Sequence, residues 1–470
     1  MSDSQRPALR ESPIPGLFVI ELDLRGDHRG WFKENWQREK MLPIGLPDFG
    51  PVQNNVSFND EVGTTRGIHA EPWDKLVSVV HGKVFGAWVD LREGPSFGSV
   101  FTVEIDPSVA VFVPRGVGNS YQTLEPDTVY SYLVNDHWSP DAGAKYTFLN
   151  LGDETAAIAW PIPLEQAVLS EKDRTHPRLA EVAPMAPRKT LVLGANGQLG
   201  RALREVWPEA EFADRAELDI TSPDFPGARA WRDYGVIVNA AAYTKVDLAE
   251  TDAGRREAWA ANVSALATLA RVATTAGITL VQVSTDYVFD GTADGHPEDE
   301  APSPLGVYGQ TKAAGDAIVE TVPRHYIVRT SWVIGDGNNF VRTMASLAER
   351  GVAPSVVDDQ VGRLSFTGDI ARGIRHLVEG GAPFGVYNLT GSGEPTSWAA
   401  IAKRVFELTG HDANAVTGVS TAEYFAGKQA SPRPLNSVLP LDKIEATGFA
   451  PRDHFAALEA YLTANPLATS

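Results

Sequence analysis

Residues 190–206 have the sequence TLVLGANGQLGRALREV, and this stretch decides the fold of the second half of the chain. A short apolar strand runs into a glycine-rich turn with the spacing GxxGxxG, and a helical pattern follows directly. Glycines in such a turn let the backbone approach a pyrophosphate, which binds the N–H groups at the start of the helix. An unliganded turn has the same letters, but the strand before it and the helix after it favour a dinucleotide site. The predicted contacts are Gly194, Asn196, Gly197, Gln198, Leu199 and Gly200.

Strands and helices alternate through the part of the chain that surrounds this turn. Buried-type strands are predicted at 190–193, 236–240, 279–283 and 326–329, and helices at 200–207 and 258–276. Such alternation is typical of a parallel, doubly wound α/β sheet, which binds its ligands at the carboxyl ends of the strands.

The first 160 residues have a different pattern, with many short runs of alternating apolar and polar residues separated by turn-forming residues. Strands at this spacing with little helix predict an all-β sandwich or barrel. In residues 84–91, Asp90 falls on the same face of a predicted strand as Trp88. A carboxylate on an inner face indicates a polar pocket inside the barrel.

The chain has 470 residues, with 41 Lys and Arg against 60 Asp and Glu, and no cysteine. Its length predicts two domains, which we place at residues 1–180 and 189–470 with a polar, proline-bearing linker at 181–188. The net charge of −19 argues against nucleic acid and anionic membranes as partners, and the lack of cysteine excludes disulfides. The first 16 residues carry no signal-peptide pattern and no stretch approaches about 20 apolar residues, so we expect a cytoplasmic protein.

Tyr308 and Lys312 lie four residues apart, so their side chains share a face if the segment is helical. A ketone that accepts hydride needs a proton on its oxygen, which a tyrosine can donate, and a nearby ammonium lowers the tyrosine pKa. Thr285 follows Ser284 at the end of a predicted strand, where a hydroxyl can bind the carbonyl oxygen. The Tyr–Lys spacing alone is also a common exposed helix pattern. Together with the hydroxyl and the glycine turn, it predicts a nicotinamide-dependent ketone reductase.

The acid that binds the cofactor ribose is expected about 20 residues after the glycine turn. Asp219 lies 19 residues beyond Gly200, and Asp214 is the competitor. Because neither carboxylate is decisive, the choice between NADH and NADPH stays open.

The first half also contains side chains that can bind phosphate or act in acid–base catalysis, at Arg29, Arg66, His69 and Lys75. Two arginines can hold a diphosphate, a histidine can act as a base, and a lysine can stabilise an enolate. A metal site is the competing hypothesis, but Ala70 and Glu71, rather than a second histidine, follow His69. We therefore expect acid–base chemistry without a metal.

The second half resembles the dTDP-4-dehydrorhamnose reductase family through VNAAAYTKVDLAE (238–250), STDYVFDG (284–291), YGQTK (308–312), RTSW (329–332), NNF (338–340) and DQVGR (359–363). The resemblance implies a Rossmann-type fold of the extended short-chain dehydrogenase/reductase kind with a smaller substrate-binding lobe. It implies a catalytic triad of Thr285, Tyr308 and Lys312, with NADPH or NADH as cofactor and a role for Mg²⁺ left open. The further cofactor contacts that it implies are Asp219, Ile220, Ala240, Ala241 and Ala242. The sugar-nucleotide contacts that it implies are Asp286, Trp332, Asn339 and Arg433. One departure is Gly362-Arg363-Leu364-Ser365, where the family usually has Pro-Thr after a variable residue.

The first half resembles the dTDP-4-dehydrorhamnose 3,5-epimerase family through DHRGWFKENW (27–36), NNVSFND (54–60), TRGIH (65–69), KLVSVV (75–80), VDLREGPSFG (89–98), VPRGVGNSYQTL (113–124), IAWP (158–161) and SEKD (170–173). The resemblance implies a metal-free, cupin-like jelly-roll barrel in which His69 is the base, Asp153 orients it and Lys75 assists. The substrate contacts that it implies are Arg29, Glu34, Arg66 and Asp90.

Two departures affect this first half. Asn119 replaces a pocket histidine of the family, and Trp138 replaces the tyrosine that would act as general acid on the opposite face of the sugar ring. Tyr121, Tyr130 and Tyr132 are candidate substitutes.

We therefore expect a bifunctional enzyme that epimerises a dTDP-4-keto-6-deoxyhexose and then reduces it to dTDP-L-rhamnose. One alternative is a monofunctional reductase whose degenerate or single-centre barrel only binds or dimerises. Another is a non-catalytic subunit, against which the intact triad argues. We expect a homodimer through the barrel, and neither nucleic acid nor membrane as a partner.

Overall fold

The computed structural model describes residues 7–465, apart from the side chains of residues 140–142. Residues 1–6, the start of the stretch without a signal-peptide pattern, lie outside the described residues. The chain forms two compact units, one on each side of the Pro187–Arg188 bond. Among the helices of the described residues, none is long and apolar enough to cross a membrane.

Antiparallel strands make up most of the first unit. They are β1 (Ala8–Glu11), β2 (Phe18–Glu21), β3 (Leu24–Asp27), β4 (Gly30–Lys33), β5 (Gln53–Asn59), β6 (Thr65–Ala70), β7 (Lys75–His81), β8 (Val84–Asp90), β9 (Val100–Ile105), β10 (Val109–Val113), β11 (Val117–Thr123), β12 (Thr128–Val134) and β13 (Thr147–Phe148). One sheet has the order β1-β2-β10-β7-β12-β5 and the other β13-β6-β11-β8-β9, while β3 and β4 form a separate hairpin. Two short helices complete the unit, α1 (Arg38–Met41) and α2 (Glu171–Arg174).

The main core of the first unit lies between its two sheets. Val77 and Val111 from one sheet pack there against Trp88 and Tyr121 from the other. Val89 points to the opposite side of β8 and packs with Leu149, because the chain after β13 folds over the outer face of the second sheet. Strand β8 is therefore buried on both faces, whereas simple alternation predicts one buried face.

The chain that follows β13 and folds over the outer face of the second sheet is the covering segment. Part of the predicted linker at 181–188 belongs to it. Val182 and Met185 are buried in the same cluster as Val89, and Met185 forms a β-bridge with Arg92. These residues pack on the barrel because they bury apolar surface there, although their polar and proline-rich neighbours predicted a free connection.

A parallel sheet of order β15-β14-β16-β17-β18-β23 forms the centre of the second unit, and the predicted parallel arrangement is confirmed. The strands of the unit are β14 (Lys189–Leu193), β15 (Glu211–Ala213), β16 (Tyr234–Asn239), β17 (Thr279–Thr285), β18 (His325–Thr330), β19 (Val333–Ile334), β20 (Ser355–Val357), β21 (Val361–Gly362), β22 (Ser365–Phe366), β23 (Gly385–Asn388), β24 (Thr396–Ser397) and β25 (Thr417–Val419). The chain order reverses between β14 and β16, so a crevice opens beyond their carboxyl ends.

Helices cover both faces of this sheet. They are α3 (Gln198–Val206), α4 (Asp252–Trp259), α5 (Ala265–Ala276), α6 (Val307–Val319), α7 (Phe340–Glu349), α8 (Thr367–Glu379), α9 (Trp398–Leu408), α10 (Thr421–Tyr424), α11 (Asp442–Glu445) and α12 (His454–Ala464). Leu203 and Ile374 pack on one face, and Leu269 packs on the other. A π-helical segment, Ala260–Ser264, joins α4 to α5. Helices α7, α9 and α12 form a separate core, which is that of a smaller lobe.

Candidate active sites

A cavity of about 440 Å³ opens at the crevice beyond β14 and β16. Of the predicted cofactor contacts, those that line it are Gly194, Asp219, Ile220, Ala241 and Ala242. The structure thus brings together the residues that follow three neighbouring strands, as the rule for ligand sites in open α/β sheets requires.

The glycine turn leaves no room for side chains. Gly194 has φ +81°, and a Cβ atom there would lie 2.8 Å from the Ala241 nitrogen. A Cβ atom on Gly200 would lie 2.3 Å from the Gly194 oxygen. Helix α3 begins after Gly197 without a side-chain cap, so backbone N–H groups at its start face a ligand. This backbone cradle fits the pyrophosphate of a dinucleotide.

The remaining predicted contacts around this turn have structural partners. The Asn196 amide donates to Asp214 at 2.6 Å, and the Gln198 amide donates to the Asn338 carbonyl at 3.4 Å. Leu199 and Ala240 pack on the apolar core under the sheet. These residues shape the turn rather than line the cavity.

Asp219 and its competitor Asp214 occupy different positions. Asp219 lines the cavity, where its carboxylate accepts hydrogen bonds from Thr221 and from Arg215 at 3.1 Å. The Asp214 carboxylate is used by the Asn196 amide and by the backbone N–H groups of Ala216 and Glu217. Arg215 also lines the cavity with a side chain that is 84% exposed, and the sequence analysis missed it.

The predicted triad comes together where β17 ends against α6. Thr285 ends the strand, and its hydroxyl donates to Asp286 at 2.9 Å and interacts with the partly buried Tyr308. The Lys312 ammonium donates to the Val283 carbonyl at 2.6 Å. Burial, together with the Asp286 charge, raises the pKa of Tyr308, and burial lowers the pKa of Lys312 to about 8. The raised tyrosine pKa differs from our expectation, but a tyrosine that keeps its proton is suited to donate it to a ketone.

Two further groups, both missed by sequence analysis, hold this site in place. The buried Asp316 accepts a hydrogen bond from Ser284 at 2.8 Å and pairs with Arg329, and its charge opposes the effect of burial on Lys312. Asn262, in the π-helical segment, accepts from the Tyr243 nitrogen at 2.9 Å and donates to Thr311 at 3.1 Å. It thereby ties the cavity loop to α6.

The four predicted sugar-nucleotide contacts separate into two groups. Asp286 is buried beside Thr285, burial raises its pKa to about 6, and its Oδ2 atom has no hydrogen-bond partner among the described residues. Trp332 stacks on Trp398 with ring centroids 3.9 Å apart. A Cβ atom at Gly362 would lie 2.9 Å from the Trp332 ring, so a glycine at this position leaves room for the stack.

Arg433 and Asn339 are engaged elsewhere. The Arg433 guanidinium pairs with Asp247 at 2.8 Å, although it also interacts with Tyr287 near the triad. Asn339 is a correction to the prediction. Its side chain caps helix α7 and donates to the Gly335 carbonyl at 2.7 Å and to Tyr461 at 2.8 Å, which uses its hydrogen-bonding groups.

In the first unit, His69 pairs with Asp173 rather than with Asp153. The Nε2 atom of His69 lies 3.0 Å from the Asp173 carboxylate, which leaves Nδ1 to take a proton. Burial acts to raise the pKa of Asp173, but the hydrogen bond and the charge of His69 lower it, and the net shift is downward. The sequence analysis quoted the SEKD motif that contains Asp173 but gave it no role.

The prediction that Asp153 orients the base is therefore wrong. Its carboxylate accepts hydrogen bonds from the backbone N–H groups of Thr155, Ala156 and Leu179, at 2.7–2.9 Å. Asp153 thus holds the segment after β13 together and is not paired with His69.

Lys75 is buried next to Glu71 and forms an ion pair with it. Its Nζ atom lies 5.7 Å from the centre of the Tyr132 ring. Burial lowers the pKa of Lys75 to about 7. A buried cation beside a phenol is the arrangement that stabilises an oxyanion.

The tyrosines proposed as substitute acids differ in their surroundings. Tyr130 is fully buried and hydrogen-bonds with Asn119, and Tyr121 donates to Ser57 at 3.1 Å. Tyr132 is partly exposed, beside Lys75. Trp138 is 58% exposed on the surface, so the residue at this position does not lie in a pocket.

All four predicted substrate contacts of the barrel have partners within it, and for Arg66 the partner is the Asn59 side chain, to which it donates at 3.1 Å. Arg29 and Glu34 are exposed and pair with Asp27 and Lys40, on the β3–β4 hairpin and after it. Asp90 is buried, as expected, and its carboxylate accepts hydrogen bonds from Arg92 and Ser96 at the end of β8. Arg66 is exposed on β6 and lies close enough to Tyr121 and Tyr132 to act on both phenols.

Within the described part of the chain, the side chains that could together hold a metal ion are those of His69, Asp173 and His176, whose ligand atoms lie within 4.8 Å of one another. No such group was found among the described residues of the second unit, so a role for Mg²⁺ in the reductase half has no support. The expectation of a metal-free barrel remains a prediction.

These features define a class of protein before any comparison is made. An antiparallel barrel carries a His–Asp pair beside a buried lysine, and a Rossmann-type sheet carries a nucleotide cradle beside a Thr–Tyr–Lys set. The chain is thus a fusion of an acid–base domain and a dinucleotide-dependent domain.

Comparison with known proteins identifies both parts. Residues 11–181 match the family model for dTDP-4-dehydrorhamnose 3,5-epimerase, and residues 188–465 match that for the RmlD substrate binding domain. A protein RmlC homolog of Streptococcus pyogenes is 53% identical over 180 residues, which cover 37% of this chain and 90% of that protein. A dTDP-4-dehydrorhamnose reductase of Aggregatibacter actinomycetemcomitans is 38% identical over 297 residues, covering 58% and 97%. The crystal structure of a Bacillus anthracis dTDP-4-dehydrorhamnose reductase in complex with NADP is 32% identical, with a TM-score of 0.53, and covers 59% of this chain and 99% of that one.

The chain therefore belongs to both the dTDP-4-dehydrorhamnose 3,5-epimerase family and the RmlD family, as a fusion of the two.

Proposed function

We propose that this chain is a bifunctional enzyme that epimerises a dTDP-4-keto-6-deoxyhexose at carbons 3 and 5 and then reduces its keto group, giving dTDP-L-rhamnose. The observation that carries the proposal is that one chain holds both a His69–Asp173 pair beside Lys75 and an intact set of Thr285, Tyr308 and Lys312. Both family matches and the names of the relatives support it. A barrel that only binds or dimerises is disfavoured, because such a barrel would not need a base paired with a carboxylate.

In the barrel, which we assign to the jelly-roll type, His69 removes a proton from a carbon next to the ketone. The carbon–hydrogen bond breaks toward the imidazole, and the electron pair forms an enolate whose oxygen the Lys75 ammonium stabilises. Asp173 stabilises the imidazolium that results. Tyr132 then donates its phenolic proton to the opposite face of the same carbon, which inverts that centre.

In the second domain, which we assign to the extended short-chain reductase type, a nicotinamide cofactor held at the glycine turn would supply hydride to the carbonyl carbon. Thr285 binds the carbonyl oxygen, and Tyr308 donates its proton to that oxygen as the hydride arrives. Lys312 provides positive charge that stabilises the phenolate left behind. The cofactor is NADPH or NADH, held by the backbone cradle of the glycine turn.

The domains that we propose are residues 1–180 and 189–470, connected by 181–188. We also propose a homodimer through the barrel, because apolar side chains are exposed on its outer surface. Val56 and Phe58 on β5, an edge strand, are 62% and 59% exposed, and Phe32 on the β3–β4 hairpin is 63% exposed. Apolar residues along an unpaired edge strand favour pairing with a second copy. Sedimentation analysis should give twice the chain mass, and Phe58→Glu should shift it to the monomer mass, whereas a monomeric parent would contradict the proposal.

The epimerase proposal is tested by solvent exchange. The protein is incubated with dTDP-4-keto-6-deoxyglucose in deuterated water without nicotinamide, and deuterium at carbons 3 and 5 is counted by mass spectrometry and NMR. We expect label at both carbons, unchanged in Tyr308→Phe and absent in His69→Asn. A chain that introduces no label, yet oxidises NADPH with a pre-epimerised sugar, would leave the barrel without catalytic function.

A further inference from the structure

His176 is a partly buried histidine of the barrel that neither the sequence motifs nor the proposed mechanism uses. Its Nε2 atom lies 3.3 Å from Oδ1 of Asp173, the same oxygen that lies 3.0 Å from Nε2 of His69. Its side chain is 12% exposed, against 33% for His69. The imidazoles of His69 and His176 therefore share one carboxylate oxygen, and His176 is the less exposed of the two.

Aromatic contacts fix the position of the His176 ring. It stacks on Phe148 with ring centroids 4.6 Å apart and planes inclined by 16°, and Phe148 in turn meets the His69 ring edge-on at 5.4 Å. The two imidazoles lie 5.5 Å apart and nearly perpendicular. The ring contacts hold both imidazoles in place, so the Asp173 carboxylate cannot turn away without losing its contacts with them.

The contacts of Asp173 with His69 and His176 are hydrogen bonds. Two histidines and a carboxylate are also a metal-ligand set, but both nitrogens here point at a single oxygen at hydrogen-bonding distance. Burial and the charge of His69 lower the pKa of His176, which favours the neutral imidazole. The charged groups that act on His176 are His69 and Asp173, and those that act on Asp173 are His69 and His176.

We propose that His176 is a positioning residue for epimerisation, which holds Asp173 by an Nε2–H hydrogen bond and sets how strongly that carboxylate supports the imidazolium of His69. The inference rests on the proposed role of His69 as the base. A carboxylate oxygen that already accepts a hydrogen bond is a weaker acceptor for a second donor, so the His176 contact limits how strongly Asp173 binds His69. Without His176, Asp173 would hold the His69 proton more tightly.

The test is the pH dependence of deuterium exchange into dTDP-4-keto-6-deoxyglucose by the full chain, with a chelator present. His176→Phe keeps a ring on Phe148 but removes the donor, whereas His176→Gln places an amide donor near the former Nε2 position. We expect the acid limb of the pH–rate profile to lie about one pH unit higher in His176→Phe than in the parent. At pH values below that limb, exchange by the variant should be about tenfold slower than exchange by the parent. We expect His176→Gln to keep the parent limb. Near-UV circular dichroism of each variant establishes that the barrel is folded.

An unchanged acid limb in His176→Phe would overturn the inference, and so would equal loss of rate in both variants without a shift of the limb, which is the mark of a purely structural role. Either result leaves the proposed function intact, because the parent still exchanges. Absence of exchange in the parent would instead overturn the base role of His69 and the inference with it.

Discussion

The His69 imidazole lies 3.0 Å from the carboxylate of Asp173, a residue 104 positions further along the chain. Strand β6 carries the histidine, and the short helix α2, capped by Ser170, carries the carboxylate. The contact forms because the segment after β13 folds back over the outer face of the second sheet. The base of the proposed epimerase thus depends on a segment outside the barrel strands.

Asp173→Asn should reduce deuterium exchange by about 10²-fold or more, because the amide cannot stabilise the imidazolium of His69. Asp153→Asn is the matched control. It should lower the thermal stability of the barrel, through the loss of hydrogen bonds to the covering segment, but retain the exchange rate of the folded protein. Slow exchange in Asp153→Asn together with normal exchange in Asp173→Asn would contradict this assignment and support Asp153 as the residue that orients His69.

Tyr132→Phe should reduce inversion on the order of 10²-fold while His69 still exchanges protons on its own face. The readout is the ratio of deuterium incorporated to sugar inverted, measured by NMR. Two control variants should leave that ratio unchanged. They are Tyr130→Phe, two residues before Tyr132 on β12, and Trp138→Tyr, at an exposed position. A normal ratio in Tyr132→Phe would assign the second proton to another donor.

Arg215→Ala should lower kcat/KM for NADPH about 10- to 100-fold and change that for NADH little. The exposed guanidinium lies on the cavity beside Asp219, where it can pair with a 2′-phosphate. Arg229→Ala, which removes an arginine paired with Glu211 in the same domain, is the control. Equal losses with the two cofactors would show that Arg215 does not contact the 2′-phosphate.

Asp286→Asn should make the reductase domain more stable than the parent at pH 8 but not at pH 4. Burial raises the Asp286 pKa to about 6, above its unfolded value, so its contribution to stability is present below pH 4 and is lost as the pH rises through 6. The difference between the variant and the parent should therefore grow by about 2 kcal/mol between these pH values. Calorimetric unfolding measures it, with the exposed Asp299→Asn as control. A difference that does not vary with pH would mean that the carboxyl group does not titrate in this range.

The sequence predicted those features that depend on local patterns. The four buried strands of the second unit all pair in one sheet, and the Tyr–Lys spacing brought both side chains to the end of β17, because each pattern involves neighbouring residues on one element. The glycine turn was equally local, since its glycines are required by contacts with the next strand end.

The features that were missed depend on contacts between distant segments. Asp173 and Asp153 are both carboxylates after the last barrel strand, and only the fold-back of the chain selects one for His69. Asn262 belongs to no motif, and its role follows from a π-helical segment that no apolar pattern predicts. Asn339 precedes a helix, so a capping role was as consistent with its position as the substrate contact that the resemblance implied.

The central claim, that one chain carries two active sites used in succession, is tested most directly by complementation between two inactive variants. His69→Asn and Tyr308→Phe are assayed, alone and as an equal mixture, for NADPH oxidation with dTDP-4-keto-6-deoxyglucose. We predict that neither variant alone oxidises NADPH at an appreciable rate and that the mixture does, because the sugar epimerised by one is reduced by the other. Oxidation by His69→Asn alone at the parental rate would contradict the account, since the reductase would then need no product of the barrel.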